Sequence, residues 1–108
     1  MKAQLYEEIL SLFALTRELE EGHPLVLNVK LAEEFGEFSE SVLHHLGYLQ
    51  HKEVKEDPIH EAADMINVII GCLTQLYPDK SPYDLVEDLH VAISEKGDKY
   101  ERILRNQQ

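Results

Sequence analysis

Apolar residues recur along this chain at spacings of three and four, the period of a helix buried along one side. Over residues 3–20 the pattern is Leu5, Ile9, Leu12, Phe13 and Leu19, and "EEGHP" closes the segment. A second helix is expected from about Leu25, after a proline tolerated in a first turn, through Leu27, Leu31, Phe35, Phe38, Val42, Leu46 and Leu49 to the polar "QHKEVKED". Asp57 followed by Pro58 marks the start of a third helix that runs to Pro78, and Ser81 followed by Pro82 repeats the device for a fourth. In the fourth, Leu85, Leu89 and Ile93 lead toward "KGDKYERILRNQQ", with Gly97 as its expected weak point. No strand alternation or repeat interrupts this order, so residues 1–108 read as one all-α domain, a four-helix bundle.

The third helix changes the picture because it is apolar almost all round. Ile59, Ala63, Ile66, Ile70, Leu73 and Tyr77 are expected to fill one side, with Met65, Val68 and Cys72 on the other. Within "EAADMINVIIGCL" the strongly polar side chains are Glu61, Asp64 and Asn67. The second helix has a related anomaly in "KLAEEFGEFSESV". With Leu31 as the centre of its core face, Glu34 lies about 60° and Glu37 about 120° away on one flank, whereas Glu33 and Glu40 lie near the opposite pole. Lys30, Glu34, Glu37 and Ser41 thus form a polar strip bordering the core. Taken alone, that strip reads equally well as an edge, with Glu34 paired to Lys30 one turn earlier.

Charge weighs against the plainer reading. The 108 residues carry a formal charge of -11, and none of the ten lysines and arginines falls between Lys55 and Lys80. Ionised carboxylates buried without partners cost several kcal/mol each, so acids on an apolar helix are protonated, paired with cations or bound to metal. Two acidic pairs on successive helices can converge on one point, and an all-oxygen anionic set suits Mg²⁺ or Mn²⁺. A ferritin-like di-iron site would require Glu-x-x-His on two helices, and neither of the two helices that carry these acids contains it. The six histidines are scattered and read as surface or supporting residues.

The same acidity argues against binding a nucleic acid polymer, which needs a basic surface. With 44% hydrophobic residues the chain is expected to fold, and at this length one bundle is expected to complete its core by forming a homodimer or homotetramer. A lone Cys72, no basic-then-apolar leader and no apolar run of about 20 residues give a cytoplasmic, membrane-free protein as the expectation.

Together, "KLAEEFGEFSESV" and "HEAADMINVIIGCL" resemble the MazG-like superfamily of all-α nucleoside triphosphate pyrophosphohydrolases. The signature there is Glu-Glu-x-x-Glu on one helix and Glu-x-x-Asp on the next, matched here by Glu33, Glu34 and Glu37 and by Glu61 and Asp64. The resemblance covers roughly residues 25–77, and "EKGDKYERIL" is similar to the lysine-rich last helix of some small members. It implies an oligomeric helical fold, Mg²⁺ dependence, and cleavage of the α–β phosphoanhydride of a nucleoside or deoxynucleoside triphosphate to a monophosphate and pyrophosphate. Glu34 is then the candidate base, and Glu34, Glu37, Glu61 and Asp64 the metal ligands. Glu33 belongs to the motif although its helical angle points away, and with Lys30 it is assigned a supporting role.

Asn67 is a candidate for hydrogen bonding to the nucleotide. Lys96, Lys99, Arg102 and Arg105 form a basic stripe; Lys96 and Lys99 are candidates for phosphate contact, and Arg102 and Arg105 read as solvated cations opposing the helix dipole. Two other readings stand beside this one: phosphoribosyl-ATP pyrophosphohydrolase, similar in chemistry, and a catalytically silent helical oligomer with a structural metal.

Overall fold

The computed structural model of the chain describes residues 2–19, 22–51, 53 and 56–108. Glu20 and Glu21 of the expected first stop, and Lys52, Val54 and Lys55 of the expected linker, lie outside the described residues. Four helices follow in order: α1 (Lys2–Leu19), α2 (Pro24–His45), α3 (Pro58–Leu76) and α4 (Pro82–Asn106), with no strand among the described residues.

The helix starts follow from their sequences. Pro24, Pro58 and Pro82 each occupy a first turn, where the missing N–H would have no intrahelical acceptor. Asp57 Oδ1 accepts from the His60 amide at 2.9 Å, and Ser81 Oγ accepts from the Asp84 amide at 3.1 Å. His23, which the sequence did not single out, caps α2 by accepting from the Leu25 amide at Nδ1, 3.1 Å away.

Two helix boundaries differ from expectation. α2 stops at His45 rather than reaching Leu49, because Gly47 takes φ 94° and the Tyr48 amide donates back to the Leu43 carbonyl at 2.9 Å. That is the glycine-dependent helix stop in which a left-handed residue turns the chain out of the helix. At Gly97 the opposite holds: α4 continues through it to Asn106.

The core sits where α1, α3 and α4 meet. Phe13, Ile70, Leu85 and Val86 are buried there, with Ile9, Leu10, Leu12, Leu73 and Leu89 packed around them. α2 stands outside this core and packs on α3 alone, with Leu27 lying over Gly71. A Cβ at Gly71 would meet Leu27 Cδ1 at 3.6 Å, an ordinary contact distance. Ser41, also buried, anchors the other end of α2 by donating to the Glu56 carbonyl at 2.9 Å.

Arg17 ties the end of α1 to the α3–α4 turn. Its guanidinium donates to the carbonyls of Thr74, Tyr77, Pro78 and Lys80 at 2.7–3.3 Å, acceptors at and just beyond the end of α3, where helical N–H donors run out. At the opposite end of α1, the Tyr6 hydroxyl donates to Glu87 on α4, and its pKa is pushed up to about 12, chiefly by that bond.

Several residues expected in the core are exposed in this arrangement: Leu5, Leu19, Phe35, Leu46, Ile59, Ala63, Ile66 and Tyr77. The periodicity located apolar faces correctly as faces, but the chain does not cover all of them. The α2 backbone lies close to α3 only and faces α1 across a cleft, so the four helices do not enclose a common axis.

Candidate functional site

α2 and α3 bring Glu34, Glu61 and Asp64 together, with one carboxylate oxygen of each within 4.8 Å of one from each of the others. Local sequence explains the placement. Glu34 shares the α3-facing side of α2 with Leu27 and Ser41, both buried, while Glu61 and Asp64 lie one turn apart near the start of α3. Glu61 retains only 4% exposure, and Glu34 and Asp64 are half-buried.

Two of these oxygens, Glu34 Oε2 and Glu61 Oε2, are buried without a hydrogen-bond partner. Burial is the main cause that raises the Glu34 carboxyl pKa above its ordinary value; Glu37 and Asp64 add to it and Lys30 opposes it. Glu61 is raised by burial first, then by the charges of Glu37, Glu56, Asp64 and Glu34. Unpartnered buried carboxylate oxygens are uncommon in proteins and call for a proton or a cation. The donor set fits a hard divalent ion. Oxygens bound at about 2.1 Å to Mg²⁺ lie about 3–4 Å from one another, within rotamer adjustment of the spacing here.

The other expected site residues distribute differently. Glu37 is exposed and outside the three-acid group, although its charge acts on both Glu34 and Glu61. Glu33 is exposed, while Glu40, expected to be solvated like it, is half-buried. Lys30 and Asn67 are exposed and line a cleft of about 220 Å³ together with Thr16, Leu27 and Gly71. That cleft lies one turn before Glu34 on α2 and one turn after Asp64 on α3, so it opens beside the acids. Lys96 and Lys99 lie on an exposed stretch of α4, whose backbone does not approach α2, and the fold of the chain therefore gives them no place beside Glu34.

Sequence reasoning missed Thr16 and Gly71 in the cleft wall and Glu56 beside Glu61. Thr16 carried no motif, Gly71 matters by lacking a side chain, and Glu56 stands in the polar connection before the Asp57 cap. No helix among the described residues is long and apolar enough to cross a membrane. Comparison with known protein families, with curated proteins and with solved structures finds no match to this chain.

Proposed function

We propose that the chain is a metal-dependent nucleoside triphosphate pyrophosphohydrolase that works as a homo-oligomer. The observation that carries this reading is the meeting of Glu34, Glu61 and Asp64 across α2 and α3 with two buried carboxylate oxygens unpartnered. When bound, Mg²⁺ or Mn²⁺ supplies the positive charge that lets an acidic chain hold a polyphosphate and polarises its phosphoryl oxygens.

Glu61 and Asp64 hold the cation in this reading, with Glu37 joining from the exposed rim. Glu34 accepts the proton of the attacking water at a carboxylate oxygen, and its raised pKa is the direction a base working near neutral pH requires. The new bond forms between water oxygen and the α-phosphorus, the bond from that phosphorus to the bridging oxygen breaks, and pyrophosphate leaves. Lys30 and Asn67 border the space where the nucleoside extends.

Product analysis of a nucleotide panel with Mg²⁺, followed by phosphorus NMR, tests the proposal. Pyrophosphate and a nucleoside monophosphate are expected, and orthophosphate as first product would refute the bond assignment. Glu34→Gln is expected to keep cation binding and lower turnover by at least about 100-fold, the scale of a lost general base. Hydrolysis confined to phosphoribosyl-ATP would move the protein to that activity. Cation-induced stabilisation without turnover of any nucleotide would leave a structural metal site.

A further inference from the structure

α2 has two apolar faces, and α3 covers one of them. On the other side, Leu25, Val29, Ala32, Gly36, Ser39 and Leu43 recur at steps of four and three, the spacing of a seam between packed helices. All six are exposed, Leu25 at 66% and Val29 at 56%. Gly36 sits in the middle of this stripe, where a Cβ would meet nothing within 4 Å. Glycine is the poorest helix former after proline, and the protomer itself gives no packing reason for it there. A stripe of small residues flanked by larger apolar ones suits the close approach of another helix.

α4 supplies a second unpartnered face. Its seam of Val86, Leu89, Ile93, Lys96, Tyr100 and Ile103 has the same spacing, and the first two members pack into the core. From Val91 onward every residue is exposed, including Ile93 at 59% and Tyr100 at 62%. The buried seam therefore continues, without a break in helix or register, onto an arm that nothing in the protomer covers. The stretch 93–104 is about 17 Å long, equal to the stretch 29–40 of α2.

The surface of the whole chain matches these two uncovered faces. A compact protein of 12.5 kDa exposes roughly 6,200 Å². This chain exposes 8416 Å², and the surplus exceeds the roughly 800 Å² that each partner buries in an ordinary stable complex.

We infer that the α4 arm of one copy packs along the outer face of α2 of a second copy, and reciprocally, in a closed two-fold dimer. Charge selects this pairing over α2 on α2. Two α2 helices laid antiparallel across Gly36 would set Glu33 of one copy against Glu40 of the other, whereas the arm carries Lys96 within its seam and Lys99 on the seam's flank toward those acids. The aliphatic stem of Lys96 lies in the seam with its ammonium free to reach the rim. The arrangement also places Lys96 and Lys99 on the acidic helix of the neighbouring copy, a position their own protomer denies them. The inference rests on the homo-oligomer within the proposed function and not on the hydrolytic reaction.

Two measurements on the full-length chain test it, neither reading hydrolysis. In a mixture of ¹⁵N-labelled and unlabelled protein, a carbodiimide joins amines to carboxylates without a spacer. Peptides linking Lys96 or Lys99 to Glu33 or Glu40, one heavy and one light, are expected. Links from these lysines confined to one copy, or directed to other helices, overturn the pairing even if the protein is oligomeric.

Light scattering is expected to give at least twice 12.5 kDa for the wild type and 12.5 kDa for Ile93→Asp and for Gly36→Leu, each retaining its helical circular dichroism. Both substitutions meet solvent in the lone protomer, and Gly36→Leu raises helix propensity, so either variant folds. A monomeric wild type, or a Gly36→Leu variant that stays dimeric, overturns the inference. A protein that passes both tests yet hydrolyses nothing loses only the reaction.

Discussion

Glu61 concentrates the cost of the site in one side chain. Its carboxyl and that of Glu34 are held above the ordinary value of 4.5, so the folded chain binds more protons than the unfolded one between 4.5 and the raised values. Stability of the cation-free protein therefore falls as pH rises through that window. Glu61→Gln removes this group's share of the loss. In EDTA at pH 7 the variant is expected to melt above the wild type, with the gap closing toward pH 4. Added Mg²⁺ is expected to raise the wild-type melting temperature and to leave the variant nearly unchanged. A variant that melts below the wild type at pH 7 without cation would show that Glu61 is satisfied by something other than a proton or metal.

Legibility at this scale was uneven. Glu34, Glu61 and Asp64 could be brought together on paper, because helical angle and an apolar setting are both written in the local sequence. Arg17 could not: its acceptors are backbone carbonyls 57–63 residues away, which any sequence presents equally.

Among the elements, α3 is held by devices at its two ends. Asp57 caps its start, and the His60 ring lies 2.7 Å from the same carboxylate oxygen. These bonds depress the Asp57 pKa and raise that of His60. Asp57→Ala is expected to cost about 1 kcal/mol in chemical denaturation, the usual worth of a cap. The His60 contribution is complete below its unfolded value of 6.5 and is lost as pH rises through the raised folded value.

At the other end, Arg17→Met removes the donors to four carbonyls and is expected to cost about 1–3 kcal/mol, with Arg17→Lys recovering only part because an ammonium lacks the planar fork. A fully stable Arg17→Met protein would mean that water serves those carbonyls equally well. The proline-and-cap starts of α3 and α4 are legible in the sequence, since Asp57-Pro58 and Ser81-Pro82 specify both the bond and the backbone angle. The end of α2 was not, because the apolar spacing runs on to Leu46 and Leu49 while Gly47 turns the chain away.

At the level of the whole molecule, the radius of gyration is 16.2 Å, against about 13 Å for a compact chain of this length. Periodicity could not foresee which apolar faces would be internal, since a face buried by α3 and one left uncovered have the same spacing. Phe35, Ile59 and Ile66 were expected inside for that reason and are exposed. If copies complete one another, the melting temperature rises with protein concentration, and a calorimetric series from micromolar upward checks this. Hydrogen exchange on diluted samples is expected to lose protection first along residues 93–106, where a short lone helix is marginal in water. A melting temperature independent of concentration would mean that the open arrangement is stable by itself.

The placement of Phe13 sets a timetable for synthesis. α1 packs on α3 and α4 and never on the helix that follows it, so the buried ring of Phe13 finds Leu85 and Val86 only after some seventy further residues have been made. At 5–20 residues per second that interval lasts about 4–14 s. The α2–α3 hairpin can close only late in that interval, and until α3 and then α4 are made the first helix to leave the ribosome waits with its apolar side bare, in reach of whatever chaperone or neighbouring nascent chain arrives first.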